Sequence, residues 1–290
     1  MRSASSRANE PCPAASLGPI DCAQIITPDA VLGGGDVSSA VSGRRPAAER
    51  IARREYLRSE CLQGARRRAL ADELYNIYSE TLHGHTPEEI DDLIFGAARV
   101  RLALFYGARG ELAGCAFAAI DRIEHAGRTH AVLGGGGFFR SHYRGGPSAS
   151  LFFLGQGIRA RLREPHVPLA YLTRASTPAA YRRLAVTMPT IYPSRRRQTP
   201  VNVETLVRAL SPRRHYVQVS ENPWVVRSAA PHDPSRLQRL EHDPDVRFYL
   251  DLNPRFAQGE SLLVWVRADM ADLDSGFARA LRAVTPVKVT

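Results

Sequence analysis

Four consecutive glycines, Gly134 to Gly137, sit between the apolar residues Ala131 to Leu133 and Phe138-Phe139, and no other stretch of the 290 residues restricts the fold as tightly. Glycine has no Cβ, so inside a strand it marks a bulge, a close approach of another backbone, or contact with a ligand. Shortly afterwards Arg144-Gly145-Gly146 precedes a helical pattern through Leu151, Leu154, Ile158 and Leu162 that stops before Pro165. A strand thus feeds a glycine-bearing turn at a helix start. There, free backbone N–H groups and the positive end of the helix dipole can receive a phosphate. The glycine run itself fits either close packing or a cofactor cradle.

The flanking segments supply the rest of a sheet. Residues 101–120 read as a hairpin, two apolar runs around Gly107-Ala108-Arg109-Gly110, followed by a polar turn over Asp121 to Gly127. Leu169 to Thr173 is a short buried strand, and Thr177-Pro178 caps a helix whose inner face carries Tyr181, Leu184, Ala185 and Met188. Upstream, Leu70, Leu74, Ile77, Tyr78 and Leu82 recur at helical spacing, ended by His83-Gly84-His85. Thr86-Pro87-Glu88-Glu89 opens a second helix with a capping box, and its acids suit the helix dipole. Tyr56 to Cys61 fits a strand or a helix start. The order predicts an α/β (α+β) fold: a mixed, mostly antiparallel sheet flanked by helices.

Beyond residue 198 the pattern predicts a helix after Thr199-Pro200, short strands at Tyr216–Val219 and Val246–Leu250, a stronger one at Ser261–Arg267, and a last helix from Asp274. Residues 199–290 are therefore expected to form a C-terminal α/β extension that packs on or completes the sheet. Residues 1–50, rich in Ser, Ala, Pro and Gly, are expected to be a disordered leader.

A formal charge of +10 raises nucleic acid as a partner. However, Lys288 is the only lysine, so the charge reflects arginine usage throughout the chain as much as a selected surface. Neither RNA-binding aromatic motifs nor zinc-finger spacing appear, so a basic phosphate- or nucleic-acid-binding protein is the third-ranked reading. Cys12, Cys22, Cys61 and Cys115 form no CxxC pair, which argues against a zinc site and for a reducing compartment. No run approaches the roughly 18–20 apolar residues of a spanning helix. A soluble cytoplasmic protein without membrane insertion is expected.

The order of elements over about residues 55–195, with Arg144-Gly145-Gly146 between a strand and its helix, resembles the GCN5-related N-acetyltransferase (GNAT) fold. That resemblance implies a GNAT-like domain over 55–198. It also implies a fourth sheet strand that splays from the fifth to receive the pantetheine arm of acetyl-CoA or another acyl-CoA, and an Arg/Gln-x-x-Gly-x-Gly/Ala loop around the pyrophosphate. Here the loop runs Arg144-Gly145-Gly146-Pro147-Ser148-Ala149, with Pro147 where the pattern has glycine. The cofactor-binding residues it implies are Gly136, Gly137, Phe138, Phe139, Arg144, Gly145, Gly146, Ser148 and Ala149. The implied chemistry is attack of an unidentified amine on the thioester, with Tyr181 as the candidate acid for the thiolate. Tyr181 also falls on the apolar stripe of its helix, the place of a core tyrosine. His130, His142, Asp121 and Glu124 are candidate bases that no spacing singles out, and His83 and His85 read as a solvated turn. The main rival is a GNAT-shaped binding or regulatory module without catalysis.

Overall fold

A computed structural model describes residues 49–143, 146–232 and 242–282. The expected leader lies outside them, apart from Glu49 and Arg50. The strands are β1 (Arg53–Arg58), β2 (Leu82–His83), β3 (Arg101–Tyr106), β4 (Leu112–His125), β5 (Arg128–Phe139), β6 (Leu169–Ala175), β7 (Ile191–Tyr192), β8 (Val225–Arg227), β9 (Ala230–Pro231) and β10 (Glu260–Arg267). The helices are α1 (Gly64–Ser79), α2 (Pro87–Phe95), α3 (Gly146–Arg163), α4 (Pro178–Thr187), α5 (Val201–Leu210), α6 (Pro244–Leu252) and α7 (Met270–Arg282).

The main sheet runs β1-β3-β4-β5-β6-β10-β7, with β8 also paired to β10, while β2 and β9 form a separate ribbon. All of the main-sheet pairings are antiparallel except β5 with β6, which are parallel and joined by the crossover helix α3. The fold is thus a mixed, mostly antiparallel sheet flanked by helices. Strand β10, late in the chain, lies between β6 and β7.

Local signals explain most boundaries. Thr86 and Glu89 exchange both hydrogen bonds of a capping box at α2, and the Thr177 hydroxyl accepts from the Ala180 N–H at α4. Four expectations are corrected. The polar turn over Asp121–Gly127 is instead the end of β4: buried Ile123 keeps the alternation going, and only Ala126 and Gly127, both at positive φ, make the turn. Val246–Leu250 is helical, because the Asp243 carboxylate accepts from the Asp245 and Val246 N–H groups and Pro244 occupies the first helical position. Tyr216–Val219 contributes one bridge, Gln218 with Val226, to the strand that does form there, β8. The last helix begins four residues earlier than Asp274, at Met270.

Each face of the sheet carries its own core. Leu74, Ile77, Tyr78, Ile90 and Ile94 of α1 and α2 pack on Leu102, Leu104, Cys115 and Phe117. On the opposite face Phe152 and Leu154 of α3 lie over Ala103, Ala116 and Ala118, small residues that let the helix approach closely. A third cluster joins α4, α5 and α6 to β6 and β10 through Tyr181, Leu206, Leu210, Tyr249 and Val264. Each such fully buried large side chain contributes about 1.5–3 kcal/mol.

Candidate functional site

The parallel pairing of β5 with β6 covers only four residue pairs, from Ala131–Leu169 to Gly134–Leu172. Beyond it β5 continues to Phe139 against β4 alone, and β6 continues to Ala175 against β10 alone. The two strands therefore diverge and leave a wedge between them. The Ala131 N–H reaches the Pro168 carbonyl on the β6 side, and the Arg140 N–H reaches Ala113 on the β4 side. This alternation turns the backbone groups of Gly135, Gly137 and Phe139 toward the wedge. The Gly135 carbonyl accepts there from the Thr173 and Tyr171 hydroxyls at 3.3 and 3.4 Å. Among the described residues the N–H groups of Gly137 and Phe139 have no partner strand on that side.

The wedge is held at its apex by a side chain from far along the chain. The Arg214 guanidinium, 10% exposed, donates to the carbonyls of Val132 (2.9 Å) and Leu172 (3.3 Å) and pairs with Asp121 at 2.7 Å. A Cβ on Gly134 would lie 2.2 Å from its Nη1. On Gly135, whose φ is +154°, a Cβ would lie 2.1 Å from the Phe117 carbonyl oxygen. Close approach of a neighbouring backbone therefore requires glycine at 135, while at 134 the Arg214 guanidinium fills the space a side chain would take.

At the other end of the connection, α3 starts at Gly146. Pro147 is its second residue, where a backbone N–H has no intrahelical partner, so the proline costs one outward donor without breaking the helix. Ser148 is 9% exposed and its hydroxyl accepts from Arg54 at 3.1 Å, while Ala149 packs against the α3-side core. Arg144 and Gly145 lie outside the described residues. Of the strand residues named from sequence, Gly136 and Phe138 share the α1 face, and Phe139 stacks on Phe105 on the α3 face. Gly137 is exposed.

Tyr181 is fully buried, and its hydroxyl donates to the Pro193 carbonyl at 3.0 Å. Burial, reinforced by Asp245, raises its pKa well above the usual phenol value. This is the environment of a packing tyrosine. Tyr181→Phe is expected to lower stability by about 1–2 kcal/mol, from the unsatisfied carbonyl, in a urea titration. Lost turnover at full stability would instead return the hydroxyl to the thiolate-acid role.

The candidate bases are scattered. Asp121 is held by Arg214, Glu124 accepts from Thr129, and His130 stands edge-on to His125 at the hairpin end of β5. At a rise of about 3.4 Å per residue, His130 is roughly 20 Å along the strand from Gly136. His142 is exposed in the turn after β5.

The structure instead links β5 through Tyr78 to His85. Its Nδ1 lies 3.0 Å from the Tyr78 hydroxyl, and the Tyr78 ring stands edge-on to Phe138 with centroids 5.4 Å apart. Nε2 has no hydrogen-bond partner among the described residues. Burial, then the nearby Arg174 guanidinium, hold His85 below the usual imidazole range, against the opposing pull of Glu89. Burial pushes Tyr78 up to about 12. At neutral pH the pair is therefore an uncharged imidazole and an uncharged phenol. Sequence placed Tyr78 on an apolar stripe and His85 in a solvated turn; only the return of the chain after α1 joins them. His83 stacks on His232, outside this pair.

No family model matches the chain, and no curated protein matches it. Among solved structures it is similar to a conserved Enterococcus faecalis V583 protein of unknown function described as a probable N-acyltransferase. The likeness has a TM-score of 0.32 and 14% identity, over 48% of this chain. The match spans about a third of that protein, 33%. No helix among the described residues is long and apolar enough to cross a membrane.

Proposed function

We infer that the protein is an acyl-CoA-dependent N-acyltransferase that transfers an acetyl or other acyl group to an amine. The observation that carries this reading is the divergence of β5 from β6 beyond Gly134–Leu172, with unpaired strand amides on one side and the Tyr78–His85 pair on the adjoining face. The residues fit an acyl-CoA: a slot lined by strand amides suits an amide-bearing pantetheine arm, and the first-turn amides of α3 suit the pyrophosphate. The co-substrate supplies an activated thioester.

The chain's own residues supply the rest. In the tautomer with the proton on Nδ1, His85 donates to the Tyr78 oxygen and presents the Nε2 lone pair to the acceptor ammonium. Nε2 takes the proton that the amine must lose before or during attack. The Gly137 N–H, turned into the wedge, is the donor positioned for negative charge developing on the carbonyl oxygen. Arg214 keeps the wedge angle fixed, so these groups need not reorganise.

A thermal-shift titration tests the reading. CoA and acetyl-CoA at about a hundred times their dissociation constants should each stabilise the protein by roughly 2.7 kcal/mol, and thiol release from acetyl-CoA should appear with at least one member of an amine panel. A shift without thiol release from any acyl-CoA or amine would favour the non-catalytic binding module. No shift would remove the cofactor reading.

A further inference from the structure

A second concavity lies on the α3 face of the sheet, under the latter half of α3. Its volume is about 170 Å³, and six arginines line it (Arg99, Arg101, Arg122, Arg159, Arg161 and Arg163) against one carboxylate, Glu164. Glu164 is already engaged by Arg122. Among the described residues no carboxylate pairs with Arg99, Arg101, Arg159 or Arg163, and the Nε of Arg161 is buried without a partner. Guanidinium groups do not shed their protons at physiological pH, so such a cluster is held against its own repulsion. Arg101 feels this directly: burial and the charges of Arg58, Arg159 and Arg163 lower its pKa, with only Glu60 opposing.

Beneath the arginines the floor is apolar, formed by Ala118, Ala131, Leu133 and Leu169. Arg159 is 13 residues into α3, about 20 Å from its first turn at 1.5 Å per residue, so the groove is distinct from the helix start assigned to the pyrophosphate. A compact concave cluster of this size differs from the extended basic stripe that a nucleic-acid strand requires.

We propose that this groove binds a small phosphorylated organic anion, with the phosphate among Arg101, Arg159 and Arg163 and a short apolar moiety on the alanine-leucine floor. Planar guanidinium forks match phosphate oxygens bidentately, and the floor gives an organic phosphate an advantage over inorganic phosphate.

The test is calorimetric titration of the full chain with phenyl phosphate and with inorganic phosphate, at ionic strength held constant with chloride. Phenyl phosphate should bind saturably and at least tenfold more tightly than inorganic phosphate. Arg101→Gln/Arg159→Gln should weaken it at least tenfold while leaving CoA affinity unchanged. Arg163→Gln alone, at an exposed position, should weaken it by a smaller factor and covers the case in which the double variant misfolds. Any of four results would overturn the proposal: no saturable heat, equal affinity in Arg163→Gln and a folded double variant, competition by CoA, or stronger competition by a short single-stranded DNA. Competition by CoA would give the groove to the acyl-CoA site, and competition by DNA would give it to nucleic acid.

Discussion

Gly135→Ala is expected to destabilise the protein by about 3–5 kcal/mol, the sum of an alanine forced to φ +154° and a Cβ placed 2.1 Å from the Phe117 carbonyl oxygen. The obstructing atom is the backbone of the neighbouring strand, which no rotamer change can move. Gly134→Ala, one residue away, should behave differently. The three heavy atoms nearest its Cβ all belong to the Arg214 guanidinium, and that group can swing aside at the cost of its bonds to Val132, Leu172 and Asp121. Gly134→Ala should therefore cost about what Arg214→Ala costs, roughly 2–4 kcal/mol for two deprived carbonyls and a broken ion pair. In the Arg214→Ala background it should be close to neutral. Urea unfolding of the four proteins gives the coupling directly, expected to equal in size the cost of Gly134→Ala itself. Additive losses would show that Arg214 does not fill the space over Gly134. Gly135→Ala at wild-type stability would refute the close strand approach.

The contrast between these two glycines shows what the sequence could disclose. A run of four glycines announces that something comes close, but not what does. For Gly134 the answer is a residue 80 positions later, in a segment whose local pattern carries no special signal. The mixed, mostly antiparallel sheet and the sequence of elements up to α4 were legible because hydrophobic alternation, the Thr86 and Thr177 caps and the length of the α3 crossover are local properties. The Asp243-Pro244 cap is equally local, and it outweighs the β-like composition of Val246–Leu250. The site was less legible. Tyr181 stands on a helix face that could point to the cleft or to the core, and the C-terminal segment decides it by covering that face with Phe248 and Tyr249. Tyr78 and His85 are seven residues apart, yet their hydrogen bond depends on the turn between them and on Phe138 behind the Tyr78 ring.

If His85 is the base, His85→Gln should lower kcat/KM by about 10²–10⁴-fold while leaving acyl-CoA affinity unchanged. The pH profile separates this from a structural role. A base works in its unprotonated form, so activity must rise as pH rises through the His85 pKa and level off above it. Because burial and Arg174 hold that pKa below 6.5, the wild-type limb should fall below pH 6.5. In His85→Gln that limb should vanish, leaving only the dependence set by the acceptor amine. Tyr78→Phe removes the bond at Nδ1 but keeps the imidazole, so it should cost only about five- to tenfold, the equivalent of one hydrogen bond, and retain the limb. A limb that survives His85→Gln would assign the proton to another acceptor, and His85 would then serve only to seat the Tyr78 ring against Phe138. Loss of the limb in His85→Gln but not in Tyr78→Phe would fix Nε2 as the atom that takes it.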